Sequence, residues 1–118
     1  MPSVSLPWPA RVLSPNGKNK GHWGVKHRAT VKAKNEAFYL AKEAGLRITS
    51  NADRIKINCV FIQPDRRNRD EDNMISSLKA ALDGVALALG VDDSRFSITW
   101  EFPDEIVKNG QVIVEVKE

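Results

Sequence analysis

Residues 66–73 read RRNRDEDN, three arginines followed by three acids and an asparagine. The stretch lies between a run that alternates like a strand, residues 54–63, and a run with helical spacing, residues 73–89. Acids this close repel one another, and a loop-to-helix junction that keeps them usually offsets the repulsion with a cation, a helix N-terminus or nearby arginines. The stretch therefore predicts half of a divalent-metal site beside a phosphate-binding surface.

Both flanking runs have a clear apolar pattern. The predicted strand places four apolar side chains on one face, those of Ile55, Ile57, Cys59 and Phe61. The predicted helix has an apolar stripe formed by Met74, Leu78, Ala81, Leu82, Val85 and Leu89. A polar stripe on its opposite face contains Asp72, Ser76, Lys79 and Asp83. Asp72 is the predicted N-cap, and Gly90 ends the helix.

The rest of the chain completes a small mixed domain. A short strand is predicted at residues 4–6, a helix over residues 26–44, and two strands at residues 96–102 and 111–117. Asn109-Gly110 before the last strand is a strong hairpin signal. The order β-α-β-α-β-β predicts one α+β domain over residues 1–118, with about four strands in a mixed sheet and two helices.

The composition limits where and how the protein acts. No stretch approaches the ~20 apolar residues of a membrane helix, and the first residues do not resemble a signal peptide. Cys59 is the single cysteine and forms no internal disulfide, so cytoplasmic residence without a membrane is expected. His22 and His27 lack zinc-ligand spacing, and no nucleotide-binding P-loop is present, so we expect no small-molecule cofactor.

Charge is divided unevenly along the chain. Residues 1–50 carry nine Lys or Arg and two Glu, a balance of +7, whereas residues 51–118 carry nine cations and thirteen acids, a balance of −4. A basic half beside an acidic half fits a polyanion-binding surface next to a metal-binding cleft. Scattered surface charge is the alternative. The candidate DNA contacts are Lys18, Lys20, Arg28, Lys32, Arg66, Arg67 and Arg69.

The loop that contains Lys18 and Lys20 also contains Trp23. Such a loop can grip a backbone phosphate and lay an aromatic ring against a base or sugar. The alternative is a surface loop with Trp23 covering the core. Likewise, Arg28 and Lys32 form either a phosphate-binding helix face or a merely solvated one.

A second acidic turn, Asp92-Asp93, follows the helix that begins near Asp72. A helix of about seventeen residues is roughly 25 Å long, so the two acidic turns cannot meet inside one subunit if the helix runs straight between them. Either the helix ends early and the chain folds back, or the acids meet across a dimer.

The chain resembles the RusA family of Holliday junction resolvases over nearly its whole length. The resemblance is carried by Asp70-x-Asp72-Asn73, Lys79-x3-Asp83-Gly84, Asp92-Asp93, and the N-terminal runs Leu6-Pro7-Trp8-Pro9 and Leu13-Ser14-Pro15-Asn16. It implies a homodimeric, Mg²⁺-dependent endonuclease, often encoded by prophages, in which Mn²⁺ can substitute. Such an enzyme cuts four-way junction DNA with paired nicks during recombination and repair.

The resemblance also implies which residues act. The essential acids, which bind the metal, fall on Asp70, Asp72 and Asp93, with Asp92 as the alternate ligand, and the family's lysine falls on Lys79. One departure concerns that lysine. The commoner family spacing places it where Ser76 stands here, one helical turn or about 5.4 Å before Lys79.

Two other functions use the same residues. In a nucleic-acid-binding module without catalysis, the acids serve as helix caps and as partners for Arg66, Arg67 and Arg69. In a metal-dependent nuclease of another kind, the same acids act on another branched DNA or on RNA.

Overall fold

The computed structural model describes residues 2–15, 23–49 and 53–117. In these residues the strands are β1 (Ser3–Pro7), β2 (Ile55–Ile62), β3 (Phe96–Glu101) and β4 (Gln111–Lys117). The helices are α1 (Trp23–Glu43), α2 (Glu71–Ser77) and α3 (Lys79–Leu89), with short 3-10 turns at Arg11–Leu13 and Asp93–Arg95. The predicted α+β domain with a four-stranded mixed sheet is confirmed. No helix in these residues is long and apolar enough to span a membrane.

The sheet has the strand order β1-β4-β2-β3. β4 is antiparallel to both neighbours, whereas β3 is parallel to β2, with Ile55 opposite Phe96. Parallel neighbours need a long crossover, and α2 with α3 supplies it. The core is formed by one sheet face and the helices, and its most deeply buried large side chains are Phe61, Ile57, Leu78, Val85, Val112, Val114 and Val116.

The predicted hairpin at Asn109-Gly110 is wrong as a link between two paired strands. Both residues have positive φ, 71° and 67°, and the Gly110 N–H donates to Val107 O at 2.8 Å, so a tight turn is present. However, β4 pairs with β1 and β2 and not with β3. β3 lies parallel to β2, on the side of β2 opposite β4. The chain must therefore cross the end of β2, where Ile106 bridges Gln63, before it enters β4.

The single helix predicted over residues 73–89 is instead two helices that meet at Leu78. The Ser77 hydroxyl donates to Met74 O at 2.7 Å, and the Leu78 N–H donates to Ile75 O at 3.1 Å, the tighter pattern of a 3-10 turn. Leu78 is fully buried, so the break lies in the core. The N-cap of α2 is Asp70 and not Asp72.

Helices α1 and α3 pack closely at Gly84. A Cβ atom added to Gly84 would lie 2.1 Å from Lys34 O and 3.1 Å from the Cβ of Ala37. Only a residue without a side chain allows this approach. The crossing brings Lys34 of α1 next to Asp83 of α3, and therefore positions part of the candidate site.

Candidate active site and nucleic-acid surface

Asp70 and Asp72 lie together at the N-terminus of α2. Asp70 is extended, and its Oδ1 accepts the backbone N–H of Asp72 at 2.8 Å. A cap of this kind contributes about 1 kcal/mol to stability, and the helix N-terminus favours the negative charges of Glu71 and Asp72. All three acids are exposed. One oxygen of Asp70 thus serves the helix, while the Asp72 carboxylate is open to solvent.

The arginines before Asp70 have different surroundings. Arg69 is 19% exposed, and its guanidinium donates to Asp65 Oδ1 at 2.9 Å and to Gln63 Oε1 at 3.3 Å. Its guanidinium carbon also lies 5.6 Å from the centre of the Trp8 ring. Arg67 is 76% exposed and makes a weaker 3.4 Å side-chain contact to Asp65. Arg69 therefore holds the loop together, whereas Arg67 and the exposed Arg66 have the freedom to reach a phosphate.

Asp65 is the centre of this loop. The Arg69 guanidinium, followed by the backbone N–H of Arg67, holds the pKa of the Asp65 carboxyl well below its usual range. Asp65 is therefore ionised at neutral pH. Its charge offsets part of the positive charge of the arginines, so the surface that residues 66–69 offer to DNA is less basic than their sequence indicates.

A second group of charged side chains forms around Asp83 in α3. Asp83 is half-buried, and the pKa of its carboxyl is raised by burial first and then by hydrogen bonding to Asp93 and that residue's negative charge. The positive charges of Lys34 and Lys79 oppose the shift. Two carboxyl groups in contact share a proton or are neutralised by a cation. That the acidic turns Asp70/Asp72 and Asp92/Asp93 bind a metal stays a prediction.

The neighbouring acids Asp92 and Asp93 have distinct roles. Asp92 Oδ1 accepts the backbone N–H of Ser94 at 2.9 Å and caps the short 3-10 turn. That hydrogen bond is the largest cause of the lowered pKa of Asp92, followed by the Ser94 hydroxyl and by Asp93. Asp93 is the residue of the pair that helps to raise the pKa of Asp83.

The two acidic groups lie at opposite ends of β2. Arg69 contacts Gln63, so Asp70 follows the carboxyl end of the strand. At the other end, Arg54 donates to Ser94 O at 2.8 Å. A strand of eight residues is about 25 Å long. The chain does fold back after α3, but Asp93 meets Asp83 and not Asp70 or Asp72. Among residues 2–15, 23–49 and 53–117, no three His, Cys, Asp or Glu side chains group as they would around a metal.

Two members of the Asp83 group were not among the predicted site residues. Asp83 belongs to the predicted polar stripe and stands four residues after Lys79, and that spacing was the available signal. Lys34 had no comparable signal, because its position depends on the close crossing of α1 and α3 at Gly84. Lys79 opens α3, is exposed, and acts on Asp83 through its charge.

The remaining DNA-contact candidates divide between α1 and the preceding loop. Arg28 and Lys32 are exposed on α1, as a phosphate-binding face requires. Lys18 and Lys20 lie outside the described residues. Trp23 is 77% exposed, which contradicts the alternative that it covers the core.

Comparison with known proteins places the chain in a family. No family model matches it. It is 36% identical over 118 residues to a protein of Xylella fastidiosa strain Temecula1, an alignment that covers 98% of this chain and 76% of the relative. The fold and the site define a small α+β domain with a carboxyl pair beside two lysines. The chain belongs to the same family as the Xylella protein, which is described as an uncharacterized protein.

Proposed function

We propose that the protein is a Mg²⁺-dependent, structure-specific endonuclease that resolves four-way DNA junctions by paired nicks. The observation that carries the proposal is the half-buried Asp83, whose pKa is raised by burial and by the neighbouring Asp93 although the positive charges of Lys34 and Lys79 oppose the shift. Burial and a like charge make ionisation of this pair unfavourable, and a bound divalent cation reverses that balance. The whole-length resemblance to RusA resolvases points to the same chemistry.

The donor chemistry fits the metal. Asp70, Asp72, Asp83 and Asp93 offer carboxylate oxygens, the ligands that Mg²⁺ takes in proteins. Within one subunit, Asp83 and Asp93 are neighbours, whereas Asp70 and Asp72 lie at the far end of β2. A homodimer in which the start of α2 of one subunit faces α3 of the other would unite the two pairs. Two-fold symmetry would then generate two such sites, one for each nick.

The chain's own residues have defined tasks in such a site. Lys79, exposed at the start of α3, would stabilise negative charge that builds on the scissile phosphate. Lys34 keeps positive charge next to Asp83. Arg28, Lys32 and Arg66 would hold the DNA arms through their phosphates. Mg²⁺ or Mn²⁺ bound by the acids would lower the pKa of a water molecule and neutralise phosphate charge. We place this enzyme in the cytoplasm, with no small-molecule cofactor.

A nicking assay on a synthetic four-way junction tests the proposal, with a linear duplex of the same sequence as the reference substrate. In Mg²⁺ the wild-type protein should nick the junction in pairs and leave the duplex intact. Asp70→Asn and Asp93→Asn should bind the junction as tightly as wild type and nick it at least ~100-fold more slowly, because each removes a charged metal ligand. Glu43→Gln, at an exposed acid of α1 that is not among the groups shifting the pKa of Asp83, is the matched control and should nick normally.

The second candidate function is a nucleic-acid-binding module without catalysis. It is favoured by the capping roles of Asp70 and Asp92 and by the ion pairs of Asp65 with Arg67 and Arg69. Tight junction binding with no nicking in either Mg²⁺ or Mn²⁺ would establish it. Preferential cutting of RNA or a flap structure in a substrate panel would instead identify a nuclease with another substrate.

A further inference from the structure

An exposed pair of aromatic rings lies at the start of α1. The ring centres of Trp23 and His27 are 4.8 Å apart, and the planes of the rings are within 9° of parallel. Trp23 is 77% exposed, although an indole is among the largest apolar surfaces that a side chain can present to water. Since His27 covers one face of the indole and no other ring of the described residues stacks on it, the other face can take a planar ligand.

The charges around the rings select the class of ligand. Between Trp23 and Asn35, α1 carries four cations, Lys26, Arg28, Lys32 and Lys34, and no acid. All four are exposed. Open aromatic faces among cations that can hold a phosphate backbone are the combination that binds single-stranded nucleic acid, because every base can stack on a ring. The positive charge disfavours a cationic or purely apolar partner.

The position of the rings links them to the Asp83 group. Trp23, His27 and Lys34 stand at i, i+4 and i+11, so they lie along one face of α1. The close crossing of α1 and α3, at which a Cβ on Gly84 would lie 2.1 Å from Lys34 O, brings this face of α1 to Asp83. Seven to eleven residues of helix span about 10–16 Å. At roughly 3.4 Å for each nucleotide of a strand, this corresponds to about three to five nucleotides.

We propose that the Trp23–His27 pair is a stacking platform for an unpaired nucleobase of the bound DNA, about three to five nucleotides from the phosphate at Asp83 and Asp93. The inference rests on the proposed function, which identifies the bound polymer as DNA. It adds that the protein holds a base that is opened near the branch point of a junction or left unpaired in gapped DNA, whereas a continuous duplex keeps its bases paired and stacked.

Binding measurements without cleavage test the platform, so Asp93→Asn is the common background. Dissociation constants are measured by fluorescence anisotropy for a four-way junction, for a duplex with a three-nucleotide gap, and for the fully paired duplex. The gap also carries 2-aminopurine, whose fluorescence falls when it stacks. Trp23→Ala removes the platform, and Trp23→Phe restores a ring. Tyr39→Ala, at a tyrosine of α1 that is 69% exposed, is the matched control for the loss of an exposed aromatic side chain.

Trp23→Ala should weaken binding to junction and gapped DNA roughly 5- to 150-fold, the loss expected for one stacked base, and should abolish quenching of 2-aminopurine. Binding to the paired duplex and the salt dependence of binding should not change, because no phosphate contact is lost. Trp23→Phe should recover most of the affinity, and Tyr39→Ala should bind normally.

Three results would overturn the inference: unchanged binding of gapped DNA by Trp23→Ala, an equal loss on paired duplex, or an equal loss in Tyr39→Ala. Those results leave the proposed function standing if the wild-type protein still nicks the junction in Mg²⁺. A wild-type protein that binds none of the three DNAs would overturn both.

Discussion

The close crossing of α1 and α3 makes Gly84→Ala a decisive perturbation. The new Cβ would lie 2.1 Å from Lys34 O and 3.0 Å from the Lys34 carbonyl carbon. Uncharged atoms in proteins pack at about 3.5–4.0 Å, so the two helices would have to separate by roughly 1 Å or more. Both clashing atoms belong to backbone, which cannot rotate away as the end of a long side chain can. The strain must therefore be taken up by the packing between α1 and α3.

The magnitude follows from two opposing effects. Overpacking a well-packed interface costs about 1–3 kcal/mol, and alanine gains up to about 1 kcal/mol over glycine in a helix interior. Because this clash is severe, we expect a net loss of about 1–2 kcal/mol in the free energy of unfolding. For a chain of this size that loss corresponds to a melting temperature lower by about 4–10 °C.

Gly24→Ala is the matched control, because Gly24 also lies in a helix but has room for a Cβ. Among the described residues, the nearest atom to that Cβ is the tip of the Arg28 guanidinium at 3.5 Å. Alanine should therefore raise the free energy of unfolding by about 0.5–1 kcal/mol. Thermal melts followed by circular dichroism give both values under identical conditions.

The same substitution should also impair the proposed enzyme. Separation of the helices moves Lys34 away from Asp83, so Gly84→Ala should slow junction nicking even at a temperature where it is fully folded. Gly24→Ala should nick at the wild-type rate. A Gly84→Ala protein as stable as wild type would refute the packing argument, and normal nicking by a destabilised variant would refute the role given to Lys34.

Two further perturbations test the charged groups. Asp83→Asn should raise the melting temperature at pH 7 but not at pH 3. The raised pKa of Asp83 in the folded state favours folding below the usual pKa of aspartate, and that contribution is lost as the pH rises through the raised value. Asparagine does not ionise and therefore avoids the loss at pH 7. An equal gain at both pH values would contradict the raised pKa. Arg69→Ala should lower the free energy of unfolding by about 1–2 kcal/mol, because it removes the contacts to Asp65, Gln63 and Trp8. Arg66→Ala, at an exposed arginine, should weaken DNA binding and leave the free energy of unfolding within about 0.5 kcal/mol of wild type. If Arg66→Ala lost more stability than Arg69→Ala, the roles assigned to the two arginines would be reversed.

Local periodicity was enough to predict most of the secondary structure. The alternation of Ile55, Ile57, Cys59 and Phe61 reflects one buried face of β2, and the stripe from Met74 to Leu89 reflects one buried face of α2 and α3. Both patterns repeat over a few residues and need no knowledge of the rest of the chain. The break at Leu78 was missed because the apolar stripe continues through it, while the hydrogen bond that marks it comes from Ser77.

Long-range pairing was not predictable from the same patterns. Asn109-Gly110 has the local geometry of a hairpin turn, but the sheet places β2 between β3 and β4, and no local signal reports the parallel register of β2 with β3. The residues of the candidate site divide in the same way, into those with a local sequence signal and those without one. Asp70, Asp72, Lys79 and Asp93 were predicted from their motifs, and their roles stay predictions. The charge of Lys34 acts on Asp83 only because the helices pack closely at Gly84, which no motif reports.

Mixed dimers test the central claim that two acidic groups from different subunits complete one nicking site. Asp70→Asn and Asp93→Asn chains, each inactive alone, are coexpressed or exchanged at equal ratio and assayed on the four-way junction in Mg²⁺. Half of the dimers should be mixed, each with one intact site, so nicking should return to about one quarter of the wild-type rate and yield single nicks. An active wild-type protein whose mixed variants remain inactive would contradict the shared site, and a wild-type protein that never nicks the junction would contradict the proposed function itself.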